Sequence, residues 1–201
     1  ITYYWRFNVG NFECYLIGVN IIGFILYLIN MWLYDHTTER NVDKLLTIVS
    51  LLGGSAGPLL AILLLDRKSV KQNMMSRVFV VCVFIIQTVF FLMYKGHRAE
   101  VLNFEVWKVF TKHKYVLIYL GIINVVTFTT FAVDKLNAIG HRSRIRIVTL
   151  LGLAFMGGSL GGLLAMYLLH HKTKKDYFTV GIPLIMLMQV VVVFYVLNAG
   201  W

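Results

Sequence analysis

Gly157-Gly158-Ser159-Leu160-Gly161-Gly162 runs through an apolar stretch, Leu163 to Leu169, into His170-His171-Lys172-Thr173-Lys174-Lys175-Asp176-Tyr177-Phe178. A hydrophobic segment broken by glycines thus ends in a dense cationic knot. A degraded copy stands 104 residues earlier: Gly53-Gly54-Ser55-Ala56-Gly57-Pro58 leads through Leu59 to Leu65 into Asp66-Arg67-Lys68. Over 53–68 against 157–172, ten of sixteen positions are identical. Tyr15 and Asn20 recur at the same offset as Tyr119 and Asn124, and Asp134 falls where Asn30 stood.

Around these copies the chain is strongly apolar, with a mean hydropathy of +0.75 and 59% hydrophobic residues, outside the range of ordinary soluble domains. Six runs carry no Lys, Arg, Asp or Glu: 14–34, 45–65, 78–94, 115–133, 147–169 and 177–198. Each is about the length of a bilayer-crossing helix. Lipid offers no hydrogen-bond partners, so such segments satisfy their backbone internally as helices. The expected fold is all-α: a polytopic membrane bundle of six helices in two three-helix repeats. The first repeat, the degenerate one, covers 1–94 and the second 115–201. An interfacial amphipathic linker, 95–114, lies between them, and aromatic residues before Glu13 form a membrane-interface belt.

Three spans per copy is an odd number, so complete spans make the second copy enter the membrane inverted. Counting Lys and Arg by loop then puts nine on one side and ten on the other, and the positive-inside rule has nothing to act on. Glycine- or proline-broken spans at matching positions of inverted halves point to a transporter-type site. Their half-helix ends offer backbone donors that favour anions. Close helix packing explains the same glycines, since Gly53/Gly57, Gly157/Gly161 and Gly158/Gly162 are each four apart.

The net charge of +10 sits at span ends, where cations meet anionic lipid headgroups. The expected partners are therefore membrane lipids, with a homo-oligomer or membrane partner also open; nucleic acid is not expected. Cys14 and Cys82 lie inside apolar runs and read as small buried hydrophobes. No metal site, zinc motif, Walker loop, nucleophile elbow or dinucleotide fingerprint is visible, and no cofactor is expected.

Candidate ligand or anion contacts are Gly157, Gly158, Ser159, His171, Lys172 and Lys175, with Gly53, Gly54, Ser55 and Lys68 in the first copy. His171 is the one candidate acid or base. Cations after a helix also complement its dipole and snorkel to headgroups, which needs no ligand. Asn20, Asn124, Asp134 and Lys135 are polar residues at or near the membrane edge, and ionisable ones there are functional candidates. With straight spans, Asp134 and His171 end on opposite faces. A contact from Asp134 to His171 or Lys172 requires the glycine segment to be re-entrant.

The second copy resembles DUF1294, a bacterial family of short membrane proteins of unknown function. The resemblance rests on Asn124, Asp134-Lys135, Ala138, Arg144-Ile145, Gly157 to Gly161, His171-Lys172-Thr173, Lys175 and Phe178. The chain reads as a tandem duplication of that unit. Where the family has Arg-Ile-Pro-Glu, this sequence has Arg144-Ile145-Arg146-Ile147 and lacks the acid. The resemblance implies a membrane location, expected to be a bacterial cytoplasmic membrane, and implies no activity. The leading expectation is a transporter- or channel-like protein for an anionic or lipid-like ligand near the glycine breaks. The alternatives are an enzyme acting on a phospholipid or polyprenyl-phosphate headgroup, and an accessory subunit that docks a partner.

Overall fold

The computed structural model describes residues 11–36, 41–66, 73–96 and 114–199. Lys68, the aromatic N-terminal stretch before residue 11 and nearly all of the 95–114 linker lie outside the described residues. Regular structure within them is entirely helical: α1 (Asn11–His36), α2 (Asn41–Val49), α3 (Ala56–Leu64), α4 (Met74–Tyr94), α5 (Lys114–Ile139), α6 (Ile147–Leu153), α7 (Ser159–Leu168), α8 (Asp176–Thr179) and α9 (Gly181–Asn198). The chain forms two compact units, Ile1–Lys68 with α1 to α3 and Ser69–Trp201 with α4 to α9.

In the first unit, α2 runs into a wide turn, Ser50–Gly54, and α3 leaves at 115° to the incoming arm. Gly53 makes the turn with φ 105°, a conformation that L side chains rarely adopt. A break in a helix frees backbone groups, and α1 fills them. Tyr15 Oη donates to the Leu52 carbonyl at 2.9 Å, and Asn20 Nδ2 donates to the Gly53 carbonyl at 3.1 Å. The Gly57 N–H donates to Asn20 Oδ1 at 2.9 Å. Gly57 lies so close to α1 that a Cβ there would overlap the Asn20 backbone. Pro58 does not make the bend: it sits in the first turn of α3, where a missing N–H costs little.

The second unit carries the same bonds 104 residues on. Gly157 has φ 109°. Tyr119 Oη donates to the Met156 carbonyl at 2.7 Å, Asn124 Nδ2 to the Gly157 carbonyl at 3.0 Å, and the Gly161 N–H to Asn124 Oδ1 at 2.7 Å. A Cβ at Gly161 would overlap the Asn124 backbone, and one at Gly158 would overlap Thr127. The glycines four apart therefore divide two tasks: Gly157 turns the chain, and Gly161 lets α7 lie directly on α5.

Five helices among the described residues are long and apolar enough to cross a membrane, or six if the bent pair of the first unit counts as one. Length does not decide how the second glycine segment runs; its ends do. The Ile145 N–H donates to Asp134 Oδ1 at 2.8 Å, just before α6 begins. His171 Nε2 lies 2.8 Å from Asp134 Oδ2, just after α7 ends. A straight helix over Ile147–Leu168 would be about 33 Å long and could not bring both ends to one carboxylate. α6 and α7 are the two arms of a hairpin, folded at Gly157. Asn124, at the tip, stands ten residues back from Asp134 on α5, about 15 Å of axial rise.

This removes the premise of the inverted arrangement. With the glycine segment folded back, α5 and α9 are the long unbroken helices of that copy. The hairpin is stitched from the other side by α9. Gln189 Nε2 donates to the carbonyls of Ala154 and Phe155 at 2.7 and 3.1 Å, and Ser159 Oγ donates to Gln189 Oε1 at 2.6 Å. The core between these helices is built from Phe131, Leu150, Met166, Phe178 and Ile182, all fully buried.

Candidate functional site

The open end of the second hairpin is closed by one carboxylate. Asp134 is 0% exposed, five residues before the end of α5. Besides Ile145 and His171, it takes Lys172: Nζ lies 2.6 Å from Oδ2. The His171 and Lys172 side chains are each 15% exposed, so the cluster is nearly sealed. An ion pair here forms in a poorly hydrated setting, where removing one partner costs far more than at a surface. Lys172 Nζ also sits 4.9 Å from the centre of the Phe178 ring, and Phe178 meets Phe131 edge-on at 5.6 Å. The aromatic floor adds a cation–π attraction to the ion pair.

The backbone aims these side chains. After α7, the His171 N–H bonds back to the Met166 carbonyl and His170 takes φ 47°. This is a helix-ending motif in which glycine is usual. α5 ends likewise: the Arg142 N–H reaches the Asn137 carbonyl and His141 has φ 52°. Lys172 has φ 61°. Left-handed non-glycine residues cost about 1–2 kcal/mol each. The consecutive side chains of His171 and Lys172 nevertheless both reach Asp134, and the two loops leave the clasp side by side. His141, Arg142 and Arg144 are exposed on the first; His170, Lys174 and Lys175 are exposed on the second.

The candidate residues thus fall into two groups. Asp134, His171 and Lys172 meet at the mouth. Lys135 and Lys175 adjoin the clasp without joining it; the Lys175 carbonyl instead caps α8 by accepting from Phe178 and Thr179. Asn20, Asn124, Gly53, Gly157, Gly158 and Ser159 lie at the tips. There the freed backbone groups of Gly157 and Gly161 are already held by Asn124, and Ser159 by Gln189. Gly54 and Ser55 are buried against the first unit's break. In the first unit the mouth differs: Tyr27 Oη donates to the buried Asp66 Oδ2 at 2.7 Å. Gln189 escaped the sequence reading, although an amide in the middle of the run 177–198 was a visible signal. The Ile145 N–H had no side-chain signal at all.

Among the described residues, all regular structure is helical and five or six helices are long and apolar enough to cross a membrane, which suggests a membrane protein, here one with a buried carboxylate closing a folded-back segment. A family model described as "Protein of unknown function (DUF1294)" matches residues 124–178, from the asparagine at the hairpin tip to the aromatic floor of the clasp. The uncharacterized protein YsdA of Bacillus subtilis (strain 168) is 35% identical over 75 residues, 37% of this chain and 84% of that relative. The chain belongs to the DUF1294 family. No solved structure matches it.

Proposed function

We propose that this is an integral protein of a bacterial cytoplasmic membrane that binds a phosphate-bearing lipid headgroup at the mouth of the second hairpin. The observation that carries the reading is the Asp134 clasp, which joins the ends of both hairpin arms and so sets two cationic loops beside one another. Lysine meets phosphate as a point charge and arginine as a two-pronged donor. Asp134 neutralises Lys172, so the binding charge comes from Arg142, Arg144, Lys174 and Lys175. The purified protein in a neutral detergent is expected to retain phosphatidylglycerol over phosphatidylcholine in native mass spectrometry. Replacing those four residues with Gln should abolish the preference while leaving the fold intact. Equal retention of both lipids by the unaltered protein would sink the reading.

The matching bonds of the two units, 104 residues apart, support a tandem duplication as their origin. They also bear on transport. Paired glycine breaks favour a transporter or channel, but the backbone groups such a site would use are filled at both tips by asparagine. An enzyme reading draws on one further observation: Asp134 holds one ring nitrogen of His171, Nε2, and so would leave Nδ1 to act, the reverse of the triad arrangement in which the carboxylate holds Nδ1. Hydrolysis of a phospholipid or polyprenyl phosphate by reconstituted protein, lost in His171→Ala and kept in Tyr119→Phe at the hairpin tip, would establish it. Turnover unchanged in His171→Ala would remove His171 from any such chemistry.

A further inference from the structure

The fold-back of the second hairpin changes the charge balance across the membrane. Four kinds of chain end gather at the clasp: the end of α5, both ends of the hairpin and the start of α9. The start of α4 joins them. Met74 and Val78 share one core with Phe178 and Ile182, and a Cβ built on Gly181 would lie 3.4 Å from Val78 Cγ1. α4 and α9 therefore start at the same end, and α5 finishes there. The opposite end has the finish of α4 and the start of α5.

Lys and Arg can now be counted by end. Among the described residues of the second unit, the segments at the clasp end carry Arg77, four in 134–146 and three in 170–176, eight in all. Lys95 and Lys114, where α4 finishes and α5 starts, are the described cations of the other end. With three straight crossings per copy, these segments fell on both sides and cancelled. With the hairpin folded back they add, and short loops rich in Lys and Arg stay on the cytoplasmic side.

We infer that the clasp end faces the cytoplasm and that its two basic loops lie on the anionic phospholipid headgroups of the inner leaflet. Charge complementarity names the occupant. The inner leaflet presents a negative surface that attracts cations held at its depth. On the loops 140–146 and 170–175 there is no acidic residue. Asp134 is buried and occupied by Lys172, and Asp176, which opens α8, is the exposed acid beside the second loop. Both crossings of the second copy then begin and end as in a simple helical pair, with the hairpin opening inward and its tip about half-way through the hydrocarbon.

The ligand part of this inference rests on the headgroup reading; the orientation does not. Single cysteines at Ser143, Lys174 and Lys95, in a chain with Cys14→Ser and Cys82→Ala, would be labelled with a membrane-impermeant maleimide. Right-side-out and inside-out membrane vesicles give the two faces. Ser143→Cys and Lys174→Cys should react only in inside-out vesicles, and Lys95→Cys only in right-side-out ones. Reaction of Ser143→Cys and Lys174→Cys from opposite faces would mean that the segment crosses, and overturns the inference. Reaction of both in right-side-out vesicles reverses the orientation and overturns it equally. So does reaction only after detergent, which would put the loops away from the headgroup surface. If labelling comes out as expected but phosphatidylglycerol is not retained, the orientation stands and the headgroup reading falls.

Discussion

The two hairpins agree at their tips and differ at their mouths. At each tip a glycine with positive φ turns the chain, a tyrosine and an asparagine cap the freed carbonyls, and a second glycine lets the returning arm touch the long helix. At the mouth, the first unit has a tyrosine hydroxyl on Asp66, whereas the second has a carboxylate holding a lysine, a histidine and a backbone N–H. The shared part is what any broken helix in lipid needs, because its polar backbone has no water to fall back on. The unshared part has no such general cause. What the two units share is thus concentrated at the tips, and what separates them lies at the mouths.

Several substitutions would break or sharpen this contrast. The largest effect is expected from Gly161→Leu, whose side chain has no space against the Asn124 backbone; no folded protein should be recovered by size-exclusion chromatography in detergent. Gly57→Leu should do the same in the first unit, and a well-folded Gly57→Leu protein would end the equivalence of the tips. Next comes Asp134→Ala, which leaves Lys172 and the Ile145 N–H without their partner. A loss of about 3–5 kcal/mol is expected, read as a fall in the thermal midpoint.

Asn124→Ala and Asn20→Ala each strand a carbonyl and an N–H at a break. Both should cost about 2 kcal/mol. A marked difference between them would show that one tip matters more than its geometry implies. The smallest effect is expected from Tyr119→Phe and Tyr15→Phe, which remove one exposed hydrogen bond apiece, about 1 kcal/mol. None of the tip variants that fold should change retention of phosphatidylglycerol. If Asn124→Ala abolishes it while the protein stays folded, the division between structural tip and binding mouth fails.

The clasp was within reach of the sequence only as a conditional. Asp134, His171 and Lys172 were all candidates, yet straight spans set the first on the opposite face from the other two. The condition that would unite them, a re-entrant glycine segment, was written in Gly157 but could not be read there. A glycine in an apolar helix serves equally as a packing notch, and Gly161 is one. Gln189 shows the complementary limit: its amide was visible, but its partners are backbone carbonyls, and carbonyls look alike at every position of a sequence.

From composition and spacing alone follow the helices, their lengths, the paired glycine segments and the polar residues that serve them. These are local matters, set by hydrophobicity over about twenty residues and by the few residue types that tolerate a break. The direction in which each segment leaves its glycine is not local. One backbone dihedral at Gly157 swings everything after it, and the choice is fixed by contacts with α5 and α9 that are tens of residues away. On that choice depend the meeting at Asp134 and the place of the two cationic loops beside it.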